Sequence, residues 1–195
     1  MRSCSIQRKT KETSIELEFT LDGDGIYEGS CQIGFLDHML DAFCVHGNFN
    51  MKLNMTGDFH VDCHHSVEDL GIVMGTALKK LVEDKTGLTR YGSFYIPMDE
   101  TLAFCSLDIS GRPFLVFQAE FTQERVGMLD CCMVKEFFRA VAFHSGLTLH
   151  LNILYGENDH HKIEGIFKAF AHALKEAVTK KETNKVLSSK GMLEG

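Results

Sequence analysis

Residues 64–68 read His64-His65-Ser66-Val67-Glu68, and residues 160–164 read His160-His161-Lys162-Ile163-Glu164. Both are HHxxE, 96 positions apart, and the likeness continues past the motif. Val67, Leu70, Met74, Leu78, Leu81 and Val82 stand opposite Ile163, Ile166, Phe170, Leu174, Ala177 and Val178. Apolar residues at i, i+3, i+4 and i+7 mark one face of an amphipathic helix. The chain is therefore an internal repeat, and each half carries a helix that opens on HHxxE.

Upstream, Leu36-Asp37-His38-Met39-Leu40 aligns with Val134-Lys135-Glu136-Phe137-Phe138 at an offset of 98, each opening a shorter helical pattern. Further back, Lys11-Glu12-Thr13 aligns with Asp99-Glu100-Thr101 at an offset of 88. An alternating segment follows each: Ile15 to Leu21 before Asp22-Gly23, and Leu102 to Ile109 before Ser110-Gly111. Alternation predicts strands with one buried face. Met51 to Met55 and Leu149 to Leu154 predict further strands between the two helices of each half. The order strand, strand, helix, strand, helix implies a duplicated α+β unit whose sheet and helix layers pack together. The halves are expected at 1–88 and 89–180, with a tail over 181–195.

Composition narrows the function. The 195 residues are 44% hydrophobic and 24% charged, ordinary for a globular chain of one moderate domain or two small fused ones. No run approaches a membrane-spanning length, and the first residues lack the apolar core of a signal peptide. A net charge of −7 without a basic stripe makes nucleic acid an unsuitable partner, so any bound phosphate must be met by a few placed cations. Seven cysteines, an odd number with no CxxC pair, imply reduced thiols in a cytoplasmic protein.

The ten histidines are the unusual feature. His64 and Glu68 are four apart and share a helix face, as do His160 and Glu164. The second histidines, His65 and His161, are rotated about 100° around the helix. They can serve a different metal or reach a neighbouring subunit. Histidine with carboxylate, without thiolate, suits Mn²⁺, Fe²⁺ or Zn²⁺. One HHxxE is readily a pair of solvated polar residues at a helix start. Two copies at equivalent places point to metal. His38 and its repeat counterpart Glu136 are further candidate ligands, whereas His46 and His144 read as core histidines, and His60, His150 and His172 as structural or surface residues.

Gly34 to Leu40, Gly57-Asp58 through Asp69, and His160 through Ala173 are similar to the imidazoleglycerol-phosphate dehydratase family over nearly the whole chain, and Ser188-Ser189-Lys190-Gly191 resembles that family's C-terminal tail. The resemblance implies a duplicated fold, each half a roughly four-stranded mixed sheet with two helices on one face, the halves packed through their helices. It implies dehydration of imidazole glycerol phosphate to imidazole acetol phosphate in histidine biosynthesis. It further implies two Mn²⁺ ions per subunit, and a homo-oligomer of twenty-four subunits with sites between subunits. By position the metal ligands are His38, His64, His65, Glu68, His160, His161 and Glu164, and the repeat adds Glu136. The resemblance places Glu12 and Asp99 at the reacting centre with His65 and His161, and Arg90, Arg112, Lys168, Ser188, Ser189 and Lys190 at the substrate phosphate. Two departures touch metal preference. Many members carry histidine at the position of Glu136, and the family's Asp-Asp-His-His reads Asp62-Cys63-His64-His65 here.

The chemistry explains such a donor set. The proton to be removed lies on a carbon bearing a hydroxyl, with no carbonyl to acidify it. An imidazole ring held by metals at both nitrogens can become imidazolate, expel the adjacent hydroxyl and make the neighbouring C–H acidic. Glu12 is expected to carry one proton transfer and Asp99 to orient the other end. Arginine grips phosphate bidentately, and the small-residue tail is expected to be mobile until a phosphate orders it. The donor set also suits two alternatives: another metal enzyme on the same scaffold, such as a hydrolase of a phosphorylated small molecule, and a metal-storing assembly without catalysis.

Overall fold

The computed structural model describes residues 1–183 and 185–189. The first half runs β1 (Ser3–Lys9), β2 (Thr13–Thr20), β3 (Ile26–Ser30), α1 (Gly34–Gly47), β4 (Asn50–Gly57) and α2 (His64–Leu81). The second runs β5 (Tyr91–Met98), β6 (Thr101–Asp108), β7 (Phe114–Gln118), a short hairpin of β8 (Arg125–Val126) and β9 (Leu129–Asp130), α3 (Cys132–Ser145), β10 (Thr148–Tyr155) and α4 (Asp159–Val178). The sheets have matching orders, β1-β2-β4-β3 and β5-β6-β10-β7. In each, only the last pairing, β3 with β4 or β7 with β10, is parallel. This is the expected duplicated α+β fold with four-stranded mixed sheets.

The two strands placed in each half by alternation are the central ones. Ile15, Leu17 and Phe19 of β2 face the core and pair with Met55, Leu53 and Met51 of β4. Ala103, Cys105 and Leu107 of β6 do the same against Ile153, Leu151 and Leu149 of β10. The flanking β1, β3, β5 and β7 and the β8–β9 hairpin fall outside the segments picked out by alternation. Gly29 in β3 and the mixed exposure along β7 blur any period of two.

The helices form the middle of the molecule. α2 packs on β1 and β2, and α4 packs on β5 and β6. On their other sides α2 meets α3 and α1 meets α4, so the halves join through their helices. Phe43 of α1 stacks on Phe170 of α4 with ring centres 5.5 Å apart, and Phe137 of α3 stacks on Phe167 of α4 at 5.4 Å. All four rings are fully buried, so each contributes roughly 1.5–3 kcal/mol of burial free energy. α2 and α3 approach more closely than side chains normally permit. A Cβ on Gly71 would lie 2.6 Å from the Phe137 carbonyl oxygen, and one on Gly75 would lie 2.7 Å from that of Val141.

Candidate metal centre

Local hydrogen bonding aims each histidine-bearing helix. Asp62 and Asn158 are equivalent in the repeat. Asp62 accepts the His64 N–H at 2.7 Å, and Asn158 accepts the His160 N–H at 2.9 Å. Such side-chain acceptors satisfy the free amides of a helix start. α1 is fixed by Asp37, whose carboxylate accepts the Tyr27 hydroxyl at 2.6 Å, the Ser30 hydroxyl at 2.7 Å and the Cys31 N–H at 2.7 Å. Burial, and then the Asp37 carboxylate, raise the Tyr27 hydroxyl far above its ordinary pKa, so it stays a donor. His38, the next residue, is thereby held at the start of α1.

The structure brings His38, His160 and Glu164 together, with one ligand atom of each within 4.8 Å of the others. Glu164 Oε2 lies 3.2 Å from His160 Nε2 and 3.6 Å from His38 Nε2. The Phe35 ring packs against the His160 ring with centres 4.8 Å apart. Glu164 is buried, and burial alone would raise its pKa. The hydrogen bond and charge of Lys168, then the His38 charge and the His160 hydrogen bond, outweigh that and hold it low. The site thus joins a first-half histidine to the HHxxE motif of the second half.

The other set is looser. His64 Nε2 stands 3.9 Å from Glu68 Oε2, and Glu136 pairs with Arg139 at 3.3 Å. Among the described residues, no three-ligand group forms around His64 and Glu68. An arginine one turn along α3 takes the Glu136 carboxylate. The Cys63 thiol is buried, its pKa raised chiefly by that burial, and it faces Asp130 at 3.5 Å.

The second histidines are gripped by carboxylates. His65 Nδ1 bonds Asp58 Oδ2 at 2.9 Å, with Glu12 at 4.0 Å. The Asp58 bond raises the His65 pKa and lowers that of Asp58. His161 Nδ1 bonds Glu100 Oε2 at 2.7 Å, while its Nε2 faces Asp99 Oδ2 at 3.8 Å. The Asn158 N–H, then His161, hold the Glu100 carboxyl well below the usual range. Asp58 and Glu100 were not among the expected site residues, although the 88-residue offset sets Glu100, not Asp99, opposite Glu12.

The expected phosphate cations are differently placed. Arg90 pairs bidentately with Asp108 at 2.7 and 3.0 Å and donates to the Leu187 carbonyl at 2.6 Å. Lys168 Nζ sits 2.6 Å from Glu164 Oε1. Arg112 is exposed and makes no ion pair among the described residues. The tail is docked as far as Ser189. Besides the Arg90 contact, Gly87 donates to the Lys185 carbonyl at 3.1 Å, and Ser188 and Ser189 border the cleft beside Arg90. Lys190 and Gly191 lie outside the described residues.

The family model described as imidazoleglycerol-phosphate dehydratase matches residues 31–174. The chain belongs to the imidazoleglycerol-phosphate dehydratase family. It is therefore a member of a family of dehydratases, that is, hydro-lyases. It is 53% identical over 192 residues to the imidazoleglycerol-phosphate dehydratase of Clostridium botulinum, covering 98% of each chain. The crystal structure of the Staphylococcus aureus family member is 41% identical with a TM-score of 0.84, covering 92% of this chain and 99% of that one. The Pyrococcus furiosus member, solved in complex with (S)-C348, is 35% identical with a TM-score of 0.80, covering 96% and 100%. No helix among the described residues is long and apolar enough to cross a membrane.

Proposed function

We propose that the chain removes water from imidazole glycerol phosphate to give imidazole acetol phosphate in cytoplasmic histidine biosynthesis, with two Mn²⁺-class ions per subunit. The observation that carries this reading is the full-length likeness to proteins named for that reaction. The residues fit such an ion by the chemistry of their donors, since His38, His160 and Glu164 offer two imidazoles and a carboxylate in one place. These three would hold one ion, and His64, Glu68 and Glu136 the other. His65 and His161 complete the sets in an assembly of twenty-four subunits that shares sites across interfaces. Bound ions supply Lewis acidity to the substrate's imidazole ring, making its N–H easier to lose.

The chain's own residues supply the remaining chemistry. Glu12 is more than half exposed beside His65, with a carboxylate available to take the carbon-bound proton. Asp99 is exposed beside His161 and orients the other end of the substrate. Arg112, Ser188, Ser189 and Lys190 take the phosphate, joined by Lys168. Arg90 ties the tail to the body of the protein through the Leu187 carbonyl.

The test is formation of imidazole acetol phosphate by the purified protein, abolished by chelation and restored by Mn²⁺. Release of inorganic phosphate instead would favour a hydrolase. Mn²⁺ binding without turnover would favour a metal-carrying assembly.

A further inference from the structure

Glu12 and Glu100 occupy the same place in the two halves, yet their surroundings differ. Glu100 Oε1 accepts the N–H groups of Glu157 at 3.1 Å and Asn158 at 2.8 Å, and the Thr101 hydroxyl at 3.0 Å. Its Oε2 takes His161 Nδ1 at 2.7 Å. The corresponding histidine of the first half, His65, is taken by Asp58 from the segment after β4. At the offset of 98 the counterpart of Asp58 is Gly156, which has no side chain. Each half therefore grips its second histidine with one carboxylate, drawn from different positions of the repeat. With Asp58 in place, Glu12 stands off at 4.0 Å from His65, whereas Glu100 is fully engaged.

An ionised carboxylate only accepts hydrogen bonds, so the imidazole nitrogen facing it must carry the proton. We propose that Asp58 and Glu100 are positioning residues that fix the Nδ1–H form of His65 and His161, leaving Nε2 as the atom each offers to a divalent cation. A carboxylate or carbonyl behind a metal-binding histidine fixes both its tautomer and its ring orientation. The proposal rests on the reading of His65 and His161 as residues of the metal sites, and it divides the work of the two repeated glutamates. Glu12 moves protons, while Glu100 holds a ligand and the start of α4.

Glutamine at position 100 separates this role from a merely structural one. Two main-chain N–H donors face Oε1, so the amide oxygen of the Glu100→Gln variant stays there. Its NH₂ then donates to His161 Nδ1 and drives the ring proton to Nε2. Thermal unfolding and Mn²⁺ equilibrium dialysis on the full-length protein read the two effects separately. Glu100→Gln should unfold close to wild type and bind Mn²⁺ about 10–100-fold more weakly at one site class. Asp58 behaves differently, because its Oδ1 is buried with no hydrogen-bond partner to dictate which way an amide turns. Asp58→Asn should keep most of the affinity, and Asp58→Ala should lose about 10–100-fold. Glu12→Gln should lower kcat and leave Mn²⁺ affinity unchanged. Unaltered affinity in a folded Glu100→Gln variant overturns the proposal. Should that variant not fold, unaltered affinity in Asp58→Ala overturns it equally. A wild-type protein that binds no Mn²⁺ refutes the metal reading itself and removes both.

Discussion

Asp159→Ala should be strongly destabilising. Asp159 is fully buried between Asn158 and His160. Its Oδ1 receives the Lys162 ammonium at 2.8 Å, and its Oδ2 receives the N–H groups of Thr122 and Gln123, both at 2.7 Å, and the Thr122 hydroxyl at 3.0 Å. Lys162 is itself 5% exposed and also donates to the Glu120 carbonyl. Alanine would leave a buried ammonium with one carbonyl partner and two amides with none. Breaking one side of such a pair costs about 3–5 kcal/mol. For a chain of this size each kcal/mol lowers Tm by about 2–4 °C, so the fall should be about 6–20 °C. Lys162→Met should cost less, about 1–3 kcal/mol, because the carboxylate keeps its three other donors. Burial alone raises the Asp159 pKa, but Lys162, then the Gln123 and Thr122 amides, pull it further down. The folded value lies below the unfolded one near about 3.9. The stabilisation is therefore complete above about pH 4 and drains away as pH falls through the folded value. Circular-dichroism melts of wild type and Asp159→Ala across that range measure both the size and the trend. A loss under about 1 kcal/mol at neutral pH would refute the reasoning.

Other substitutions probe separate parts of the molecule. A Cβ at Gly92 would lie 1.9 Å from the Ala173 carbonyl oxygen, so Gly92→Ala should force β5 from α4 and cost about 1–3 kcal/mol or more, seen as a lower unfolding midpoint in urea. Glu136→Gln should weaken Mn²⁺ binding whereas Glu136→His should largely retain it, and equal affinity in all three proteins would make Glu136 an ordinary partner of Arg139. Truncation after Val186 removes the Leu187 carbonyl from Arg90 and the serines from the cleft. Folding and metal content should survive while KM rises strongly, and unchanged kinetics would show that the tail plays no part.

The repeat made the fold legible because helix faces and central strands are periodic. Leu17 against Leu53, and Leu107 against Leu149, lie on strands found by alternation. The edge strand β3 is short and largely exposed, so no pattern betrays it. The cluster of His38, His160 and Glu164 follows from which helix lies beside which, and no spacing within a half reveals that α1 meets α4. Asp58 escaped for a different reason, since its partner is seven residues away across a loop whose path the repeat does not preserve. Arg90 is expected at the substrate phosphate, and spacing alone does not reveal that Asp108 and the Leu187 carbonyl hold its guanidinium.

The partnership of His38 with His160 and Glu164 crosses the boundary between the halves, and this bears on what fusion makes possible. Neither half holds all three donors, so two separate half-chains would have to associate before any such cluster existed. Were those half-chains identical, every substitution would appear twice, once on each side of their symmetry axis. Joining them into one chain removes that constraint. Position 38 can then be histidine where position 136 is glutamate, and Asp58 can exist where its counterpart is Gly156. One fused chain can thus present unlike groups to the two ends of an asymmetric small molecule.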